Sequence, residues 1–140
     1  MFAKEDYVSL EVAKLLKEKG FDEPCEKEVN IYLGDWAYCD YYDRTCARNS
    51  NLPTNKASYP TLYEAQKWIR DKHNIDIVVE PEIDENTDKK IGYCFDLYTD
   101  FPSVAYSLLY TTYEEALNAG ILESLKLLDY ENIHRNTRLG

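Results

Sequence analysis

Long apolar runs are missing from this 140-residue chain. No stretch approaches the roughly 18 apolar residues that cross a bilayer as a helix, which excludes a transmembrane helix. Basic charge is scarce: 16 lysines and arginines stand against 26 aspartates and glutamates, for a formal charge of −10. That balance argues against a protein that grips a nucleic-acid backbone. The five glycines are dispersed, so no glycine-rich loop can cradle a phosphate. The four cysteines, Cys25, Cys39, Cys46 and Cys94, form no Cys-x-x-Cys pair. Their spacing fits no zinc signature, and four reduced thiols are expected, some buried as small hydrophobes. The two histidines, His73 and His134, have no nucleophile close in sequence, so catalysis finds little support. No metal and no cofactor is expected. The start, Met1-Phe2-Ala3-Lys4-Glu5-Asp6, lacks a basic segment followed by an apolar run, and the expected location is cytoplasmic.

At 16.4 kDa and 44% hydrophobic content, the chain is long enough for one globular domain spanning 1–140 with a real core. Ser9 caps a predicted helix over 7–20, with Val12, Ala13, Leu15 and Leu16 as its apolar stripe. Gly20 supplies the left-handed stop and Phe21 a packing contact behind it. Val29, Ile31 and Leu33 alternate as a short strand. Residues 34–58 then show no period; they hide a second strand near Lys56–Tyr59 or form a functional loop. Thr61 and Glu64 make a capping box for a second helix, with Leu62, Ala65, Trp68, Ile69 and Lys72 on one face and Asn74 as its stop.

Three strands follow on period two. The first carries Ile75, Ile77, Val79 and Ile83, the second Ile91, Tyr93, Phe95 and Leu97, and the third Val104, Tyr106, Leu108 and Tyr110. Pro81 suits an edge strand or a bend. Thr112 and Glu115 cap a third helix to about Tyr130, with Gly120 as a close-packing point against the sheet, and the tail 131–140 is expected to fray. The repeated Thr-x-x-Glu-Ala reads as a duplicated strand-strand-helix unit or as two independent caps. The predicted fold is a two-layer α+β domain, an antiparallel sheet of four to five strands with three helices packed on one face.

The runs from Tyr7 to Cys25 (YVSLEVAKLLKEKGFDEPC), Pro60 to Asn74 (PTLYEAQKWIRDKHN) and Tyr113 to Glu123 (YEEALNAGILE) together cover about a third of the chain. In these strings it resembles a group of small acidic proteins of gut Bacteroidetes and their phages and mobile elements. The resemblance implies a mobile-element setting and a cytoplasmic location. It brings no activity and no site residue.

Two constellations stand out. Residues 76–100 hold eight acids and two lysines, −6 of the chain's −10. Period two puts Asp76, Glu80 and Glu82 on one strand face, which Asp96 and Tyr98 should share. Such a stripe is either a surface for a basic partner or the solvated face of a sheet. The turn Asp84-Glu85-Asn86-Thr87-Asp88 opens like a calcium loop, but Lys89 and Phe95 stand where glycine and a bidentate glutamate are required, so an EF-hand is rejected. The second constellation is Asp35-Trp36-Ala37-Tyr38-Cys39-Asp40-Tyr41-Tyr42-Asp43-Arg44. Its aromatics supply much contact area at little entropic cost. They form a contact loop or the packed rim of a core.

The expected function is therefore a non-catalytic protein-interaction module, with Trp36, Tyr38, Tyr41, Tyr42, Glu80, Glu82, Asp96 and Tyr98 as its contact residues. The partner is a protein of basic character or a second copy of the chain, with no nucleic acid and no membrane. Two alternatives stand beside it: an acidic nucleic-acid mimic that blocks a DNA-binding protein, and an enzyme whose site the sequence does not announce.

Overall fold

The computed structural model describes residues 3–38, 47–100 and 104–139. In order they form α1 (Leu10–Glu18), β1 (Lys27–Asn30), β2 (Trp36–Tyr38), β3 (Lys56–Ser58), α2 (Leu62–His73), β4 (Asp76–Ile83), β5 (Lys90–Tyr98), β6 (Val104–Tyr110) and α3 (Tyr113–Leu139). Single turns of 3-10 helix lie at Lys4–Asp6 and Asn49–Asn51. The α+β class is as expected. The single sheet of four to five strands is not: the described residues form two three-stranded antiparallel sheets, ordered β2-β1-β3 and β4-β5-β6. The chain divides into two compact units, residues 1–68 and 69–140, each holding one sheet.

In the first unit, the Ser9 hydroxyl accepts from the Val12 N–H at 3.3 Å and starts α1. The helix ends in a Schellman motif. Gly20 takes φ +91°, its N–H donates to the Lys17 carbonyl, and the Phe21 N–H donates to Leu16. Phe21 and Leu16, the two apolar residues that such a motif brings together, are both fully buried. Phe21 also meets Trp68 edge to face, with ring centroids 5.3 Å apart. Asn49 is buried and satisfied: its amide donates to the Phe21 carbonyl at 2.7 Å, and its oxygen accepts from the Ser58 N–H at 2.8 Å.

Ile31 and Leu33, expected in a strand, lie in a turn. The Asn30 side-chain oxygen accepts from the N–H groups of Tyr32 and Leu33, at 2.9 and 3.0 Å, and folds the chain back into β2. The hairpin tip leaves Tyr32 76% and Leu33 74% exposed. The Thr61–Glu64 capping box is complete: the Thr61 N–H donates to Glu64 Oε1 at 2.9 Å, and the Glu64 N–H donates to Thr61 Oγ1 at 3.2 Å. Asn74 ends α2 at φ +55°. Lys72, placed by sequence on the apolar face, is exposed.

In the second unit, β4, β5 and β6 form a meander, and α3 packs on one face of it. The helix buries Leu117, Ile121 and Leu125, and the sheet buries Ile77, Phe95 and Leu97. Gly120 is the point of closest approach: a Cβ there would stand 2.6 Å from Ile77 Cγ2 and 3.2 Å from Phe95 Cδ2. Ile83 and Ile91, expected on the apolar face, are 45% and 51% exposed because they flank the hairpin turn at one end of the sheet. α3 continues past Tyr130 to Leu139.

Thr112 also caps its helix, its hydroxyl accepting from the Glu115 N–H at 3.1 Å. Both sheets thus lead into a Thr-x-x-Glu helix start. They are wired differently, however: the first strand is central in one sheet and the second strand is central in the other. The repeated motif marks two helix starts rather than one duplicated unit.

Candidate functional site

The sequence-based contact residues fall into two groups, one in each unit. Tyr41 and Tyr42 lie outside the described residues.

The acidic group is built by the β4–β5 ladder. Asp76 pairs with Tyr98, Val78 with Asp96, Glu80 with Cys94 and Glu82 with Gly92. Directly paired residues of an antiparallel ladder share a face. Asp76, Glu80, Glu82, Asp96 and Tyr98 therefore share one face, while Ile77, Val79, Phe95 and Leu97 occupy the other with α3. No acid stands directly opposite another acid. Asp96 sits diagonally between Asp76 and Glu80, at the roughly 7–8 Å typical of diagonal neighbours, so repulsion within the stripe is small. Asp76, Glu80 and Glu82 are exposed, Asp96 is half-buried, and Tyr98 is 47% exposed. Among the described residues, none of these four carboxylates has a basic partner.

Cys94 sits within this acidic face. Its thiol donates toward Glu82 Oε2 at 3.5 Å and lies 3.8 Å from the Glu80 carbonyl. Partial desolvation, then the Glu82 carboxylate, raise its pKa above the ordinary thiol value. Thiolate character is suppressed there, which opposes nucleophilic chemistry. Cys25 is buried, and burial pushes its thiol up to about 12. Among the described residues, no group of three or more His, Cys, Asp or Glu is placed to hold a metal ion. No described helix is long and apolar enough to cross a membrane.

The aromatic group is organised around a residue that the sequence reading missed. Lys27 pairs with Tyr38, and Val29 pairs with Trp36, across β1 and β2. All four share a face. The Lys27 ammonium lies 3.8 Å from the Trp36 ring centre, 3.9 Å from Tyr7 and 5.2 Å from Tyr38. Trp36 and Tyr38 meet edge to face at 5.3 Å, and Tyr59 stacks on Tyr7 at the same distance. Lys27 is only 6% exposed and forms no ion pair among the described residues. Burial lowers its pKa, and nearby Glu26 opposes that shift. The electron-rich ring faces act in the same sense as Glu26, holding the ammonium in place of a carboxylate.

One signal for this cage was present in the sequence. Lys27 lies two residues before buried Val29, which places it at an inward position of a strand. Trp36 and Tyr38 thus have one contact inside the fold and still leave 47% and 57% of their surface exposed. They are part core rim and part exposed surface.

Comparison of the chain with protein-family models, curated proteins and solved structures finds no match.

Proposed function

We propose that this chain is a non-catalytic protein-interaction module that takes a basic protein partner on the open face of the β4–β5 hairpin. One observation carries the reading: four carboxylates share a sheet face that has no compensating base among the described residues, while the opposite face is closed by α3. A single-signed face raises the rate of encounter with a basic surface and rejects acidic ones. Tyr98 gives that face an aromatic contact of the kind enriched in interface hot spots. On the first unit, Trp36 and Tyr38 offer a second contact element, already packed against the Lys27 ammonium, which lowers the entropy left to lose on binding.

The experiment uses a fluorescently labelled oligolysine peptide as probe. Its affinity is measured for wild type, for Glu80→Gln/Glu82→Gln/Asp96→Asn, and for Glu5→Gln/Glu18→Gln/Glu23→Gln, which removes equal charge elsewhere. The face variant is expected to bind about tenfold more weakly than the charge-matched control, a difference of about 1.4 kcal/mol. Equal affinities for the two variants overturn the assignment of the face.

A further inference from the structure

We propose that β6 is the contact strand of a two-fold homodimer, in which the β4–β5–β6 sheet continues antiparallel into the sheet of a second copy. The two edges of this sheet differ in kind. β4 carries the exposed acids Asp76, Glu80 and Glu82 and also Pro81, which has no N–H to offer a neighbour. Edge charges and proline are the usual devices that prevent strand addition. The outer side of β6 has neither.

From residue 101 to residue 113 the sequence has no charge at all, between Asp100 and Glu114, in a chain that is 30% charged. No other uncharged run in the chain approaches that length. Within it, β6 pairs with β5 alone among the described residues, so its second row of backbone groups is unpaired by strand. The register between β5 and β6 is irregular, Tyr93 facing Tyr110 but Phe95 facing Tyr106, and the irregular stretch holds Leu108 and Leu109. They are 65% and 50% exposed, and the Leu109 side chain lies against Gly92.

These features select the occupant. A backbone edge is completed by a β-strand, and the flanking leucines need an apolar, uncharged neighbour. Two copies of a chain with charge −10 repel wherever their acids meet, and β6 is the strand of this sheet on which they carry none. Antiparallel self-pairing makes the contact isologous, the same patch serving both copies. It also leaves both acidic faces on one side of a six-stranded sheet, so the dimer does not compete with the partner surface proposed above.

The test is sedimentation equilibrium of the full chain from low micromolar to millimolar concentration. Wild type is expected to reach twice the 16.4 kDa chain mass. Leu108→Lys should weaken the dimer by about a hundredfold or more, since two lysine charges then meet at one contact. Its far-UV circular dichroism and thermal midpoint, measured at dilutions where wild type is monomeric, should match wild type. Added salt should tighten the dimer by screening acid repulsion, the opposite of its effect on a basic partner, so the two proposals fail separately. A wild type that stays at chain mass overturns the proposal. So does a dimer that survives both Leu108→Lys and Leu109→Lys, or one whose formation leaves amide exchange across residues 104–110 unchanged.

Discussion

Gly120 packs so tightly that its replacement sets two effects of known sign against each other. Alanine in a helix interior gains about 1 kcal/mol over glycine. Here its methyl group would stand 2.6 Å from Ile77 Cγ2, inside any normal contact. Overpacking of that kind costs typically about 1–3 kcal/mol. Gly120→Ala is therefore expected to destabilise the protein by about 1–2 kcal/mol in urea unfolding, although helix propensity alone predicts the reverse. This packing role was legible, because a glycine inside a long apolar-striped helix needs a reason. Of the Lys27 cage only the inward parity of Lys27 was legible; its rings come from Tyr7, Trp36 and Tyr38, brought together only by the fold. Lys27→Ala removes both the buried stem and the cation between the rings, and a loss of about 1–2 kcal/mol is expected in the same assay. Cys25 gives a pH signature. Its folded pKa is raised to about 12 by burial, above the roughly 8.5 of an unfolded thiol. The unfolded state then loses its proton first, so the stability that Cys25 contributes is complete below pH ~8.5 and declines as pH rises from there toward 12. Cys25→Ala should flatten the stability profile between pH 8.5 and 10, and iodoacetamide should modify Cys25 in wild type only on unfolding.

Helix ends were the most legible elements, since local chemistry alone determines them. Ser9, Gly20, Thr61, Glu64 and Asn74 all act where the sequence placed them. Thr61→Ala is expected to cost about 1 kcal/mol, read as a lower urea midpoint with unchanged slope. Strand limits were less legible. The apolar alternation of Val29, Ile31 and Leu33 runs straight through the turn, and only the Asn30 side chain breaks it by capturing two N–H groups. Asn30→Ala leaves those bonds unmade and should loosen the hairpin, seen as faster amide exchange at Tyr32 and Leu33. Ile83 and Ile91 keep the apolar parity of their strands at the end of the hairpin, where burial has already lapsed. Periodicity names the face a residue takes; it says nothing about how far cover extends along that face.

Across the whole chain, the reading of one sheet failed for a related reason. Alternation specifies strands and faces, but nothing in it says which strands share a ladder. The described strands divide three and three, and the central strand is β1 in one sheet and β5 in the other. The acidic face survived this change because it belongs to one hairpin, β4–β5, whose register follows from a short turn. The aromatic stretch was legible as unusual, while its anchoring onto Lys27 required the pairing of β1 with β2. With the charge gathered on that hairpin, partner binding should weaken steeply as ionic strength rises, because exposed charges are screened over about 8 Å at physiological salt. The most direct test is a nitrogen-15 chemical-shift titration of the full chain with an oligolysine peptide at low salt. The account predicts shifts concentrated on residues 76–82 and 92–98, and their loss in the Glu80→Gln/Glu82→Gln/Asp96→Asn variant. Shifts spread evenly over the acidic residues of both units, or confined to residues outside the β4–β5 face, contradict it.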